Sequence, residues 1–271
     1  MMWCFKNAQP VKEVSIQDRA LQYGDGCFTT ARIEDGKIQL MHRHLARLKE
    51  CCEQLDLSVN LNWIDGSLEQ MKTLGCVLTG TIKILISRGE GQRGYTMPSH
   101  AADLYIYFYP QSHAIDQPAY LKSGVLKTQL GLCMPKLAGL KTLNRLEQVI
   151  LKKEADQQGW SEALTLDINN EVVEGVSSNC FIYLNNTWIT PELRYNGVRG
   201  VMRAEIIDRM QQLGIECIQR PVQLTELSQV QSLFFCNALH PMNIVTHLQS
   251  QTLQTNICTQ LYHILNLNQI D

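Results

Sequence analysis

The chain has 271 residues, of which 45% are hydrophobic and 18% are charged, and its formal net charge at pH 7 is −2. This length allows one large domain or two modest ones, and the composition is that of a globular protein with an ample core. No basic run of the kind that binds a phosphate backbone is present, and the apolar runs are too short to span a bilayer, so nucleic-acid binding and membrane insertion are excluded.

Residues 1–115 are predicted to form a smaller α/β domain. A β-hairpin is expected where "CFTTARI" and "KIQLM" flank the glycine-containing turn Glu34–Gly36. Helices are predicted over residues 42–57 and roughly 62–74, and "TIKILISRG" and "ADLYIYFYP" are predicted strands. The apolar face of the first helix is expected to consist of Leu45, Leu48, Cys52 and Leu55.

Residues 109–124 contain Pro110 and Pro118 and few large apolar side chains, so this segment is predicted to link two domains. Residues 116–271 are predicted to form a larger, β-rich domain. Its elements are expected in the order strand, helix, three strands, helix, strand, short helix and strand. The whole chain is therefore predicted to be a two-domain α+β protein of mixed α/β content.

Ten cysteines are scattered along the chain without C-x-x-C spacing. Lys6, Lys12 and Glu13 interrupt any apolar region of a signal peptide near the start of the chain. We therefore expect reduced thiols and a cytoplasmic protein rather than a disulfide framework.

The stretch "RGEGQRGY" contains Gly89-x-Gly91-x-x-Gly94, the spacing of a dinucleotide-binding fingerprint. That fingerprint requires the last glycine to open a helix whose N-terminus faces the pyrophosphate. Another predicted strand follows instead, so a loop between two strands is expected. Arg88 and Arg93 in this loop are either anion contacts or solvated side chains at a hairpin tip.

Four separate stretches contain residues that could bind a ligand or take part in catalysis. Arg47 lies on a predicted helix, Lys141 lies in "LAGLKTLN" just before another helix, and Glu174 lies where a predicted strand passes into a loop. Residues 200–202 begin a further helix, whose backbone N–H groups suit a phosphate. Each feature alone is ordinary, because a solvated lysine or a surface carboxylate is commonplace.

Together and in this order, the stretches resemble the fold-type IV pyridoxal-phosphate enzymes. That family includes branched-chain aminotransferases, D-amino-acid aminotransferases and 4-amino-4-deoxychorismate lyases. The resemblance covers nearly the whole chain, from "SIQDRALQYGDGCFTT" to "FFCNAL". The stretches "DRALQYGDGCFTTARI", "ISRGEGQRGY", "LAGLKTLNRLEQVI" and "CNALHPM" resemble the lyases rather than the aminotransferases. Departures at Asn7-Ala8, where the family often has Asn-Gly, and at Cys180 leave the chemistry unaffected.

The resemblance implies a role for each residue. Lys141 would be catalytic, forming a Schiff base with pyridoxal 5'-phosphate and then acting as a base. Glu174 would pair with the pyridine nitrogen, Arg47 with the phosphate and Arg93 with a substrate carboxylate. Further cofactor contacts would come from backbone N–H groups at Val201, Met202, Asn237 and Ala238. The family also implies a cofactor bound between the two domains of a homodimer, whose second subunit completes the site.

Some residues invite other interpretations. Lys136 is the rival for the Schiff base, but the motif favours Lys141. His42 and His44 have no further ligand at a useful spacing, so no metal site is expected. Ser177 and Ser178 lack a nearby His and Asp partner in the sequence, which argues against a serine nucleophile.

The resemblance implies a lyase that converts 4-amino-4-deoxychorismate to 4-aminobenzoate and pyruvate, a step towards folate. Lys141 would remove the proton at the amine-bearing ring carbon, and loss of the enolpyruvyl group would make the ring aromatic. The alternative within the family is a branched-chain or D-amino-acid aminotransferase. A cofactor-free scaffold protein is a third hypothesis, against which the joint presence of Lys141, Glu174 and Arg47 argues.

Overall fold

The computed structural model describes residues 3–111 and 117–270. The chain forms two compact units. The first unit contains the described residues up to 111 together with Leu140–Asn144, and the second contains residues 117–139 and Arg145–Ile270. The predicted domain boundary between residues 115 and 116 lies outside the described residues, so that division stays a prediction.

The first unit is built on a six-stranded antiparallel sheet in the spatial order β2-β1-β6-β5-β3-β4. Buried and less buried side chains alternate along its two long neighbouring strands β3 and β5, as expected where the two faces of a sheet differ. The strands are β1 (Trp3–Lys6), β2 (Gln9–Pro10), β3 (Gly26–Glu34), β4 (Lys37–Ile38), β5 (Gly80–Ser87) and β6 (Asp103–Pro110). The helices are α1 (Arg19–Tyr23), α2 (Met41–Gln54) and α3 (Trp63–Thr73).

The predicted hairpin is confirmed, although its second strand ends at Ile38 and Met41 already begins α2, and the predicted loop between strands is confirmed as well. β3 and β4 pair around Asp35 and Gly36, whose φ angles of 48° and 79° are those of a tight hairpin turn. β5 and β6 pair from Gly80 opposite Pro110 to Ser87 opposite Asp103. The element that follows the glycine-rich loop is therefore a strand, and the letters of the dinucleotide fingerprint have no structural counterpart here.

Helix α2 forms where it was predicted, but its buried face differs from the predicted one. Two polar side chains lie among the residues that α2 buries: His44, Arg47, Leu48, Cys51 and Cys52. Leu45 and Leu55, which were assigned to that face, are only half-buried. The reason is a hydroxyl on the neighbouring strand, Thr29 of β3, which hydrogen-bonds both polar side chains and so makes their burial tolerable.

The second unit contains two sheets. One has the order β10-β9-β8, and the other has the order β13-β12-β11-β14-β15-β16 with β7 also paired to β15. The strands are β7 (Ala119–Ser123), β8 (Val125–Leu130), β9 (Leu164–Asp167), β10 (Val172–Gly175), β11 (Asn179–Leu184), β12 (Thr187–Pro191), β13 (Cys217–Arg220), β14 (Ser232–Cys236), β15 (Asn243–Leu248) and β16 (Gln251–Thr252). The helices are α4 (Leu146–Gln157), α5 (Val201–Gln212) and α6 (Thr255–Ile264), with 3₁₀ turns at Pro135–Leu137 and Leu224–Gln229.

The main core of the second unit joins apolar side chains from both of its sheets. β9 and β10 contribute Leu164, Leu166 and Val172, and they pack with residues such as Ile182 of β11 and Phe235 of β14. The mixed α/β content with several sheets confirms the predicted fold class.

Part of the predicted linker is wrong, because Ala119–Ser123 forms strand β7. This strand runs parallel to β15, from Ala119 opposite Asn243 to Ser123 opposite Leu248. Ser123 is buried and its hydroxyl donates to the backbone carbonyl of Glu162 at 3.0 Å. The segment has few large apolar side chains because most side chains of β7 are exposed.

Two properties of the described chain bear on the compositional predictions. All ten cysteines are free thiols. Within residues 3–111 and 117–270, no helix has the length and apolar character needed to cross a membrane.

Candidate functional site

Lys141 lies in a short segment that runs beside the beginning of β3. The backbone N–H of Phe28 donates to the carbonyl of Lys141 at 3.0 Å, and the N–H of Leu143 donates to the carbonyl of Gly26 at 3.0 Å. An antiparallel bridge joins Cys27 to Thr142 between these two bonds. The backbone of the lysine segment is thus fixed on a strand, while its side chain is half-buried with Nζ 4.7 Å from the centre of the Phe28 ring.

The glycines of "YGDGCF" make this close approach possible. A Cβ atom on Gly26 would lie 2.1 Å from the carbonyl oxygen of Ile86 on β5 and 2.9 Å from Cδ1 of Leu143 in the lysine segment. Gly24 has a φ of 64°, and a Cβ there would lie 2.4 Å from the side-chain oxygen of Asn144. These distances are too short for atoms that are not bonded to each other. Glycine at positions 24 and 26 therefore leaves the space in which the lysine segment lies beside β3.

Lys136 has a different environment. It lies in the 3₁₀ turn Pro135–Leu137, whose three residues include no buried one, and its own side chain is exposed. Lys141 therefore has the more enclosed amine of the two candidates, which agrees with the motif-based choice between them.

Arg47 is held on the buried face of α2, with 8% of its surface exposed. Its Nη2 donates a short hydrogen bond to Oγ1 of Thr29, and the same oxygen lies 2.5 Å from Nδ1 of His44. Burial is the largest cause of a lowered pKa at His44, which falls to about 3. The charges of Arg47, His42 and Lys141 act in the same direction.

The two arginines of the glycine-rich loop differ sharply. Arg88 is buried, and its Nε donates to Oδ2 of Asp25 at 2.8 Å. Its two terminal nitrogens donate to the backbone carbonyls of Leu55 and Asp56 at 2.6 and 3.0 Å. Arg88 therefore has a structural role, joining Asp25 to the backbone at Leu55 and Asp56, rather than that of an anion contact. Arg93 is exposed on the loop, and its role in binding a substrate carboxylate stays a prediction.

Glu174 lies at the end of β10 in the second unit, where only 6% of its surface is exposed. Its Oε2 accepts hydrogen bonds from the backbone N–H of Val198 and from Nδ2 of Asn179, both at 3.0 Å. Two N–H donors stabilise the ionised form of a buried carboxylate. Such a carboxylate is suited to accept a further hydrogen bond from a protonated ring nitrogen.

The beginning of helix α5 offers backbone donors. Gly200 is its N-cap residue, and no side chain caps the helix there. The N–H groups at the start of an α-helix have no carbonyl partner one turn earlier, and the predicted role of Val201 and Met202 as donors to an anion stays a prediction. A Cβ on Gly200 would lie 2.0 Å from the side-chain oxygen of Asn179, which explains the glycine.

Asn237 shapes the turn that follows β14. Its side-chain oxygen accepts from the backbone N–H groups of Leu239 and His240 at 3.0 and 2.9 Å. Its Nδ2 donates to the hydroxyl of Ser178 at 3.0 Å. The backbone around Asn237 and Ala238 is thereby tied to the start of β11, next to Asn179.

Glu162 is a residue that the sequence did not single out. It is 4% exposed, and its carboxylate accepts from the hydroxyls of Ser177 at 2.7 Å and Ser178 at 2.9 Å. A chain of hydrogen bonds therefore runs from Asn237 through Ser178 to Glu162. Ser177 and Ser178 therefore serve as hydrogen-bond donors to a buried carboxylate. The only sequence signal for the burial of Glu162 is the apolar strand that follows it.

A groove of about 760 Å³ runs along α4 in the second unit, with Val176 and Ser177 at its edge. None of the predicted site residues lines it. Among the residues the structure describes, no group of three or more His, Cys, Asp or Glu side chains is arranged to hold a metal ion.

Comparison with known proteins gives consistent results. A sequence profile described as Amino-transferase class IV matches residues 26–248. An aminodeoxychorismate lyase of Vibrio harveyi is 32% identical over 88% of each chain. A crystal structure of 4-amino-4-deoxychorismate lyase from Pseudomonas aeruginosa superposes with a TM-score of 0.85 at 34% identity, covering 96% of this chain and 98% of the other. A putative branched-chain-amino-acid aminotransferase of Methanocaldococcus jannaschii is 29% identical over 82% of this chain and 78% of its own.

The profile covers far more than half of the chain, and two relatives above 30% identity span nearly all of it. These matches confirm the family that the motifs around Lys141, Glu174 and Arg47 resemble. The chain belongs to the class IV amino-transferase family.

Proposed function

We propose that this chain is a pyridoxal-phosphate-dependent lyase that converts 4-amino-4-deoxychorismate to 4-aminobenzoate and pyruvate. The observation that carries the proposal is near-full-length similarity, at 32% and 34% identity, to two proteins that bear this lyase's name. The motifs that distinguish the lyases from the aminotransferases, such as "GDGCFTTARI", point the same way.

The residues present fit the cofactor. A phosphate group needs cationic and N–H donors, and buried Arg47 and the glycine-capped start of α5 supply both kinds. A pyridine N–H needs an anionic acceptor, and buried Glu174 is one. When bound, pyridoxal phosphate supplies an aldehyde that condenses with amines and a ring that withdraws electrons from the reacting carbon.

Each side chain then has one task. Lys141 would hold the cofactor through its amine and would act as the base that removes the proton from the amine-bearing ring carbon of the substrate. Glu174, whose carboxylate accepts hydrogen bonds from Val198 and Asn179, would accept a hydrogen bond from the ring nitrogen and favour its protonated form. Arg47 and the backbone N–H groups of Val201 and Met202 would bind the phosphate, and Asn237 and Ala238 would add further contacts.

The substrate supplies the driving force for elimination. Loss of the ring proton and of the enolpyruvyl group at the neighbouring carbon makes the ring aromatic, and the enol leaves as pyruvate. The two substrate carboxylates require cationic or N–H partners. We propose exposed Arg93 as one of them.

The family resemblance also supports a homodimer in which a second subunit completes each site, and a cytoplasmic location. Both belong to the proposal. A light-scattering mass of twice the chain mass would support the homodimer, and a monomer that turns over at the full rate would contradict it.

An aminotransferase for a branched-chain or D-amino acid is the second candidate, favoured by the similarity to the Methanocaldococcus jannaschii protein. It would use Lys141, Glu174 and Arg47 in the same way but would return the proton to the cofactor instead of expelling a leaving group. An aminotransferase needs a keto acid to complete its cycle, whereas the lyase does not.

The test follows from that difference. The purified protein is loaded with pyridoxal phosphate and given 4-amino-4-deoxychorismate without any keto acid. The proposal predicts continuous release of 4-aminobenzoate and pyruvate in equal amounts over many turnovers. No aryl amine, together with rapid keto-acid-dependent turnover of a simple amino acid, would overturn it in favour of the aminotransferase.

A further inference from the structure

Thr29 and His44 are buried polar residues to which the proposed reaction assigns no task. They are 0% and 1% exposed, and they lie between β3 and α2 beside Arg47. We propose that His44 is a positioning residue that, acting through Thr29, fixes the guanidinium of Arg47 for the phosphate of the cofactor. This inference rests on the proposed function, because it presupposes that Arg47 binds that phosphate.

The direction of each hydrogen bond follows from the chemistry of its partners. A guanidinium can only donate, so Oγ1 of Thr29 accepts from Nη2 of Arg47. The hydroxyl proton of Thr29 is then available for Nδ1 of His44, 2.5 Å away. His44 must accept at Nδ1, which places its own proton on Nε2. A directed chain therefore runs from Arg47 through Thr29 to His44.

The neutral form of His44 is the one that allows these hydrogen bonds. A protonated imidazole would carry a proton at Nδ1 and would leave the Thr29 hydroxyl without its acceptor. It would also place a further buried positive charge beside Arg47. Burial holds His44 in its neutral form, with a pKa of about 3, so the acceptor is present throughout the neutral range.

The anchoring involves two secondary-structure elements. Thr29 lies in the middle of β3, which pairs with β5 from Gly26 to Ile33. His44 and Arg47 lie three residues apart on α2, so one turn of helix presents both to the same hydroxyl. A long arginine side chain loses conformational freedom when it binds an anion, and prior immobilisation reduces that cost. The phosphate should therefore bind more tightly to the fixed guanidinium.

The test compares two ligands that differ only in the phosphate. Dissociation constants of the apoprotein are measured for pyridoxal phosphate and for pyridoxal in wild type and in His44→Leu, His44→Asn, Thr29→Val and Thr29→Ser. Asparagine carries an acceptor near the position of Nδ1, and serine retains the hydroxyl. His44→Leu and Thr29→Val should weaken binding of pyridoxal phosphate by about tenfold, as expected for one hydrogen bond. The affinity for pyridoxal should not change. His44→Asn and Thr29→Ser should retain the wild-type ratio of affinities for pyridoxal phosphate and pyridoxal.

A matched pair covers the case in which the leucine or valine variant does not fold. Glutamine at position 44 carries its amide one carbon farther than asparagine, near the position of Nε2. His44→Gln should therefore reduce the preference for pyridoxal phosphate over pyridoxal by about tenfold, while His44→Asn keeps the wild-type preference. Circular dichroism of each apoprotein verifies that it is folded.

Two results would overturn the positioning role. One is an equal loss of affinity for both ligands, which indicates a general effect on folding. The other is an unchanged ratio of affinities in His44→Leu, Thr29→Val and His44→Gln. Failure of the lyase proposal is recognised separately, as a wild type that shows the expected phosphate preference but releases no 4-aminobenzoate; the positioning role would then stand.

Discussion

The backbone N–H of Phe28 donates a 3.0 Å hydrogen bond to the backbone carbonyl of Lys141, and the Lys141 amine lies 4.7 Å from the centre of the Phe28 ring. One residue of β3 thus contacts both the backbone and the side chain of the lysine. The position of the Lys141 amine therefore depends on how the lysine segment is paired with β3. Changes that disturb this pairing should affect cofactor attachment before they affect anything else in the site.

Gly26→Ala should destabilise the protein, because the added Cβ would lie 2.1 Å from the Ile86 carbonyl and would displace a strand that holds the lysine segment. We expect a loss of about 2 kcal/mol or more in the free energy of unfolding. Denaturant unfolding measures it. Gly131→Ala is the control, since nothing lies within 4 Å of a Cβ there. Equal stability of the two variants would contradict the proposed steric role of Gly26.

Arg47→Ala should weaken retention of pyridoxal phosphate. Loss of a charge-assisted contact to the phosphate corresponds to about 1.5–3 kcal/mol, or roughly 10- to 150-fold in the dissociation constant. Equilibrium dialysis of the loaded protein measures the change. Lys49→Ala, an exposed change on the same helix, should leave retention at the wild-type value. If the cofactor leaves both variants equally slowly, Arg47 does not bind the phosphate.

Glu174→Gln should preserve cofactor binding but slow the reaction. The amide oxygen can still accept from Val198 or Asn179, yet a neutral amide no longer keeps the ring nitrogen protonated. We expect kcat to fall by about 10²-fold, the scale of other contributions to proton transfer. The rate of 4-aminobenzoate release at saturating substrate measures it, with Glu216→Gln on the exposed surface as control. An unchanged kcat would show that Glu174 is not the partner of the ring.

His44 should make the folded protein sensitive to acid. The unfolded imidazole binds a proton below pH 6.5, whereas the folded one does so only near pH 3. Between these values the unfolded state binds more protons, so stability falls as the pH falls, by up to about 1.4 kcal/mol per pH unit. His44→Asn removes this contribution. From pH 7 to pH 4 the unfolding free energy should therefore fall more steeply in the wild type than in His44→Asn, and parallel curves would be inconsistent with a neutral buried His44.

Local features were predictable from the sequence. The hairpin around Asp35 and Gly36 depends on residues that adjoin each other in the chain, and so does the spacing that predicted α2. Strand β7 was missed because its partner, β15, lies about 120 residues farther along the chain. A polar segment at the edge of a sheet and a polar linker have the same composition.

The candidate site also contains residues that the sequence predicted and residues that it did not. Lys141, Glu174 and Arg47 were predicted from motifs, whereas the buried residues Thr29 and Glu162 were missed. Each missed residue acts through hydrogen bonds to residues that the sequence separates from it or that have no local signature: Thr29 binds a helix 15 to 18 residues away, and Glu162 binds serines about 15 residues away. Arg88 illustrates the converse, since its motif suggested an anion contact and its burial against Asp25 makes it structural.

Covalent trapping shows directly whether Lys141 carries the cofactor. The loaded protein is treated with borohydride, digested, and the cofactor-bearing peptide is identified by mass spectrometry, in wild type, Lys141→Ala and Lys136→Ala. We expect label on the Lys141 peptide in wild type and in Lys136→Ala, and no fixed label in Lys141→Ala. Label recovered on the Lys136 peptide of the wild type would contradict it.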